Sequence, residues 1–141
     1  ATGTRLRESG HEFGATTGRP RRCGWYDAVA MQYSTRINGI SKLVVTKLDV
    51  LDGFDEIRMC TGYEVAGRRL RSFPSDVRTL EGVRPLYESF EGWKTPTAGA
   101  TTYEELPRQA KAYLTALARY TGAPLWLVSV GPRRDQSLFL P

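Results

Sequence analysis

A chain of 141 residues, 40% hydrophobic with a mean hydropathy of -0.39, is too apolar for a disordered polymer and too polar to span a bilayer. Its 20 Lys and Arg against 15 Asp and Glu leave a net charge of +5, a surplus that acquires meaning only where the positive charge clusters. No apolar run approaches the roughly eighteen residues of a transmembrane helix, and two cysteines, Cys23 and Cys60, cannot build the disulfide framework of a secreted mini-protein; a cytoplasmic setting is expected, with no membrane partner.

The chain opens on Ala1 rather than Met, which reads as a processed chain or a piece of something longer, and no signal-peptide succession follows. Residues 1–24 carry Gly3, Gly10, Gly14, Gly18 and Gly24 among polar residues without a sustained period, and read as an approach segment plus a loop. The lone histidine, His11, has no second His and no Cys at ligand spacing, so no zinc site is expected. From Trp25 the positions Tyr26, Val29, Ala30, Tyr33 and Ile37 recur at helical spacing, with Gly39 as the stop. Leu43-Val44-Val45 reads as a short buried strand that delivers a polar loop, Thr46-Lys47-Leu48-Asp49, at its carboxyl end. Alternation between Glu56 and Phe73 around Ala66-Gly67 predicts a hairpin, with Pro74 ending its second strand.

Residues 83–90 read as another strand and 91–100 as a loop. Thr102-Tyr-Glu-Glu105 has capping-box spacing, Pro107 is tolerable in a first helical turn, and Ala110, Tyr113, Leu114, Leu117 and Ala118 trace one helical face that Gly122 and Pro124 end. A second apolar strand, 125–128, leads into Ser129-Val130-Gly131-Pro132, and a terminal strand covers 137–140. The element order predicts an α/β fold, a mixed sheet flanked by helices, without internal repeats.

Three constellations carry chemistry. Thr46-Lys47-Leu48-Asp49 matches the [NT]-K-x-D pattern by which guanine nucleotide-binding proteins read the base. Guanine presents two donors on one edge, N1-H and the exocyclic amine, which a carboxylate's two oxygens match, while a lysine stem can cover the base and keep its ammonium wet. A solvated Lys followed by a capping Asp is the plainer alternative. Ser129-Val130-Gly131-Pro132 also follows an apolar strand, and strand carboxyl ends are where open α/β sheets gather ligands; alternatively it is a Gly-Pro turn into the last strand. Gly14-Ala15-Thr16-Thr17-Gly18-Arg19-Pro20-Arg21-Arg22 runs from glycines and threonines into three arginines, a composition suited to anions. Without interleaved aromatics it is a poor nucleic-acid surface, and no nucleic-acid partner is expected.

Taken together, Glu12 through Asp27, Thr46 through Asp52, Tyr87-Glu88 with Gly92-Trp93, Leu106-Pro107 leading into Ala112-Tyr113, and Val128-Ser-Val-Gly-Pro132 resemble adenylosuccinate synthetase along essentially the whole chain. The resemblance implies the family's C-terminal third only: a single segment, 1–141, with the approach and aspartate-binding loop in 1–24 and an α/β region carrying guanine-binding loops in 25–141, part of a larger P-loop-NTPase-like enzyme. It implies a GTP-dependent carbon-nitrogen ligase of AMP biosynthesis. GTP phosphorylates the 6-oxygen of IMP, and the amine of L-aspartate displaces that phosphate to give adenylosuccinate.

By the same resemblance, Ala15, Thr16, Thr17, Gly18, Arg19, Pro20 and Arg21 bind aspartate and IMP. Arg21, Lys47, Leu48, Asp49, Ser129, Val130, Gly131 and Pro132 bind GTP. Pro20 stands where some members carry Arg, and its stiff φ is expected to leave its neighbours in place. The glycine-rich phosphate loop, the catalytic Asp and His and most of the Mg2+ site belong to the family's N-terminal part, so no catalytic or metal residue is expected in this segment and the fragment alone is expected to be inactive. A homodimer is implied for the whole enzyme. The alternative is a free-standing guanine nucleotide or dicarboxylate-binding module without catalysis.

Overall fold

The computed structural model describes residues 2–70 and 72–140. The strands divide between two mixed sheets, within the α/β class expected. In the first, β3 (Glu56–Val65) is central: β1 (Tyr26–Asp27) runs parallel to it at Met59 and Cys60, β4 (Arg68–Leu70) returns antiparallel, and β5 (Arg84–Glu91) pairs with it antiparallel from Glu56 to Glu64. In the second, β2 (Leu43–Val45) lies parallel to β6 (Leu125–Ser129), and β7 (Ser137–Phe139) is antiparallel to β6.

The β3–β4 hairpin turns where Ala66 and Gly67 both take positive φ, 48° and 75°, the requirement of the two-residue turn whose twist suits paired strands. The paired strand β4 ends at Leu70, short of the expected Pro74; Arg71 lies outside the described residues. Ile57 and Met59 point inward, fully buried, while Glu56 and Arg58 face out.

Helix α2 (Ala28–Asn38) starts later than its apolar spacing suggests. Tyr26 is drawn into β1, and Asp27, extended at φ -104°, caps the helix by accepting from the Ala30 N–H at 3.0 Å. Gly39 closes it in the left-handed region as expected. The expected inner face is also partly turned outward: Ile37 is exposed and Tyr33 stacks on Phe73, with ring centroids 5.2 Å apart.

A short helix, α3 (Val77–Glu81), capped by Asp76, has no counterpart in the sequence reading. In α4 (Arg108–Thr121) the predicted face is correct, with Ala110, Tyr113, Leu114 and Leu117 buried and Ala118 half-buried. Its start is not the expected capping box. Leu106 is buried, Pro107 holds ψ 144° as the cap residue, and Glu105 instead reaches back to accept from the Thr101 N–H at 2.8 Å, closing the turn ahead of the helix.

The largest departure is α1 (Thr2–Ser9), inside the stretch expected to be an irregular approach. With Leu6 as its one buried side chain it has no repeating apolar face, and tertiary contacts hold it. Arg5 lies over the Phe54 ring at 3.6 Å, and the backbone of Cys23 runs so close to Gly3 that a Cβ there would sit 2.5 Å from the Cys23 carbonyl oxygen.

Candidate functional site

The parallel pairing of β2 with β6 places Val45 beside Val128, so Thr46-Lys47 and Ser129–Pro132 leave the second sheet at the same end. Lys47 turns the chain through the left-handed region, φ 62°, uncommon for a residue with a side chain. A single 3-10 turn, Leu48–Leu51, follows; Leu48 is buried in the core and fixes the turn to the sheet. In this setting Asp49 Oδ1 is buried with no hydrogen-bond partner. Burial is also the main reason its carboxyl is pushed above the ordinary aspartate range. A buried acceptor left without a donor costs about 1–3 kcal/mol, and two adjacent N–H groups on a ligand edge are what would satisfy it.

Its neighbour loop is braced from behind. The Val130 side chain is fully buried, and its N–H donates to the Gln136 carbonyl at 2.9 Å. The Gln136 side chain accepts from the Arg133 N–H at 3.1 Å and donates to the Ala98 carbonyl at 3.0 Å. A Cβ on Gly131 would lie 2.5 Å from Gln136 Nε2, so this clasp needs glycine there. On the other side, Asp52, which follows the 3-10 turn of Asp49, accepts from Trp93 Nε1 at 2.6 Å and from the Thr97 N–H at 2.8 Å. Segment 93–98 therefore ties both strand-end loops to one frame. Leu48 and Val130, expected among the nucleotide-binding residues, are buried as whole residues and anchor their loops from behind.

The third constellation is a small hairpin. Phe13 and Pro20 form an antiparallel bridge, made by Gly14 N–H donating to the Arg19 carbonyl at 2.8 Å and Arg21 N–H donating to the Glu12 carbonyl at 3.0 Å. Both bonds flank Pro20, so its missing N–H costs nothing. At the tip, Gly18 turns at φ 65° and its N–H closes onto the Gly14 carbonyl at 2.9 Å. Residues 15–22 are all exposed, and among the described residues the Thr16 hydroxyl and the Arg19 and Arg22 guanidinium groups have no hydrogen-bond or ion-pair partner. The loop offers donors and positive charge that its own chain does not consume.

Glu12 joins the third constellation to the first. One of its oxygens accepts from Lys47 Nζ and the other from Arg21 Nη1 at 2.9 Å. Lys47 Nζ also donates to the Gly10 carbonyl at 2.6 Å. The ammonium is tied down at its tip while the side chain stays half exposed, which steadies its methylene stem. A cavity of about 550 Å³ lies between the two segments, with Arg21, Arg22, Thr46 and Lys47 on its lining and Leu6, Leu43 and Leu117 among its apolar walls; neither Asp49 nor Ser129–Pro132 lines it.

Glu12, Gly10, Asp52 and Gln136 are the residues that sequence reasoning left without a role. Glu12 and Asp52 had a signal, their places in the resembling blocks 12–27 and 46–52; Gly10 and Gln136 had none, and contacts of all four span more than thirty residues. Asp27, part of the resembling block, proves to be the α2 cap and accepts from the Tyr63 hydroxyl. Among the described residues no three His, Cys, Asp or Glu side chains gather as a metal site. Nor is any helix among them long and apolar enough to cross a membrane.

Residues 1–138 match the family model described as adenylosuccinate synthetase. The chain is 49% identical over 140 residues to the adenylosuccinate synthetase of Geobacter sulfurreducens, covering 99% of this chain and 32% of the relative. It is 51% identical over 140 residues to that of Pelobacter propionicus, with 99% and 33% covered. A solved structure described as fully ligated adenylosuccinate synthetase from Plasmodium falciparum superposes with a TM-score of 0.95 at 39% identity, over 99% of this chain and 34% of that one. The chain spans about a third of the length of the curated relatives it matches.

Proposed function

The chain belongs to the adenylosuccinate synthetase family, and on that footing we propose that it is the family's C-terminal third, supplying the guanine clamp and the aspartate loop of an enzyme that joins IMP to L-aspartate with GTP hydrolysis. The observation that carries this reading is the buried, partnerless Asp49 Oδ1 on one of two strand-end loops that leave the sheet together. A guanine edge supplies two N–H groups to that carboxylate, and adenine offers no such edge. Lys47, held at its ammonium by Glu12 and Gly10, keeps its stem in place to cover the base.

The exposed loop 15–21 would take the dicarboxylate. Arg19 binds an aspartate carboxylate and touches the IMP ribose, Thr16 and Thr17 donate hydroxyl hydrogens, and Arg21 stands between aspartate and GTP. Guanidinium groups neutralise both acids without competing for the amine that must attack the purine ring. Folding this loop over the substrates would keep the phosphorylated intermediate from water. Phosphate, magnesium and acid-base groups would come from the rest of the enzyme, which the reading places in the cytoplasm as a homodimer.

A chimera tests this: the last third of the Geobacter sulfurreducens synthetase is replaced by this chain. Adenylosuccinate formed from IMP, L-aspartate and GTP is the expected result. A chimera that melts cooperatively and forms none overturns the reading.

A further inference from the structure

Glu12 occupies a position that neither pocket explains by itself. Its backbone is fixed at both ends, its N–H donating to the Arg7 carbonyl at 2.9 Å beside the end of α1 and its carbonyl accepting from the Arg21 N–H at 3.0 Å. Its carboxylate is divided, one oxygen for Lys47 and one for Arg21. Lys47 belongs to the base-reading loop and Arg21 to the anion loop, 26 residues apart in sequence and otherwise on separate elements. One negative charge thus serves two cations that would repel each other, and the neighbouring Arg19 and Arg22 have no acidic partner among the described residues to share the load. The Lys47 contact, and after it Arg21, hold Glu12 below the ordinary carboxylate range, so it stays charged wherever the protein is folded near neutral pH.

We propose that Glu12 is a positioning residue that couples the two pockets, so that a guanine nucleotide seated against Lys47 orders Arg21 for the dicarboxylate, and the dicarboxylate orders Lys47 for the base. The inference rests on the functional reading above. A base that packs on the Lys47 stem fixes the ammonium, the ammonium fixes the carboxylate, and the carboxylate fixes the guanidinium. The second ligand then meets a side chain whose ordering cost has already been met by the first. Thermodynamic linkage requires the effect to be the same in both directions. Glutamine in place of Glu12 retains the shape and one acceptor oxygen, but its amide NH2 is a donor and it carries no charge to neutralise the two cations.

The test uses the complete synthetase carrying this segment. GDP binding is titrated calorimetrically with IMP present, at zero and at saturating L-aspartate, and aspartate binding is titrated at zero and saturating GDP. The parent protein is expected to show tightening of about 5-fold or more, equal in the two directions, and Glu12→Gln to reduce it to less than 2-fold while each ligand still binds. Coupling that is absent in the parent, or unchanged in Glu12→Gln, overturns the proposal. If Glu12→Gln does not fold, Glu12→Asp keeps the charge but shortens the reach, and unchanged coupling there overturns it equally. A parent that binds no guanine nucleotide refutes the functional reading instead, and Asp49→Asn, whose base preference is independent of the coupling, separates the two failures.

Discussion

Val45 of β2 lies in register with Val128 of β6 on adjacent parallel strands, so the loop that carries Asp49 and the loop that carries Ser129 emerge as neighbours. On the proposed reading, this relationship would bring residues eighty apart in sequence to one guanine base. Asp49→Asn in the complete enzyme is expected to exchange guanine for xanthine, because the new amide donates to the C2 carbonyl of xanthine where the carboxylate accepted from the guanine amine. Competition between GTP and XTP in the steady state measures it. Unchanged preference for GTP would remove Asp49 from the clamp.

The same burial gives a pH dependence with a definite sign. Burial raises the Asp49 carboxyl above its ordinary value of 3.8 in the folded protein, against its own backbone N–H, with the nearby Asp52 adding to the effect and Lys47 opposing it. The folded state therefore binds more protons than the unfolded state between 3.8 and the raised value, and this residue's contribution to stability falls as pH rises through that window. Nucleotide binding runs the other way. Guanine needs the ionised carboxylate, so affinity is expected to drop as pH falls through the raised value. GDP titrations across acid pH should show a transition above 3.8 in the parent that disappears in Asp49→Asn.

Arg19→Ala tests the anion loop separately. Arg19 is exposed at the tip and its guanidinium has no partner among the described residues, so its loss removes no internal contact. It should instead strand a substrate carboxylate, at a cost of about 2–5 kcal/mol in aspartate use with the melting temperature unchanged. The ratio of kcat/KM for aspartate measures it, with GTP as the reference. A change confined to GTP would mean that the loop serves the nucleotide.

The parts of this molecule that could be read from sequence are those in which local pattern and tertiary demand agree. In Leu43–Val45 and Leu125–Ser129 the apolar run marks the strands, although only one face is enclosed: Leu43 and Val128 are buried while Val44 and Trp126 are exposed, so β2 is not the buried strand expected. Ala66-Gly67 has the positive-φ backbone that such a turn requires, and the α4 face repeats at the helical period because it packs against one layer. Thr46-Lys47 and the 129–132 loop were legible as strand-end loops for the same reason, although only the parallel register makes them neighbours. Helix α1 was not, because a single buried leucine produces no period and its stability comes from Arg5 on Phe54 and from Gly3 against Cys23. The late start of α2 was hidden by Tyr26, an apolar residue at helical spacing that a strand claimed first. Glu12 and Asp52 stand in the resembling blocks, yet their roles were not legible, since nothing local announces partners that lie 35 and 41 residues away.

Asp52 provides the clearest stability test. Its carboxylate accepts from Trp93 Nε1, from the Thr97 N–H and from the Thr97 hydroxyl, at 2.6, 2.8 and 3.1 Å, and both partners are almost fully buried. Asp52→Ala leaves three donors without an acceptor. A single buried group left unpaired costs about 1–3 kcal/mol, and water entering the half-buried position of the lost carboxylate would relieve part of the sum, so a loss of about 2–4 kcal/mol is expected. Asp52→Asn keeps one acceptor oxygen and should lose roughly half as much. Urea denaturation should show a lower midpoint with an unchanged slope, since the surface exposed on unfolding is the same. The segment 93–98 also braces the 129–132 loop through Gln136 and the Ala98 carbonyl, so Asp52→Ala should weaken GDP binding in the complete enzyme without altering its preference for guanine. A variant that matched the parent in both measurements would show that the Asp52 contacts, though present, hold nothing in place.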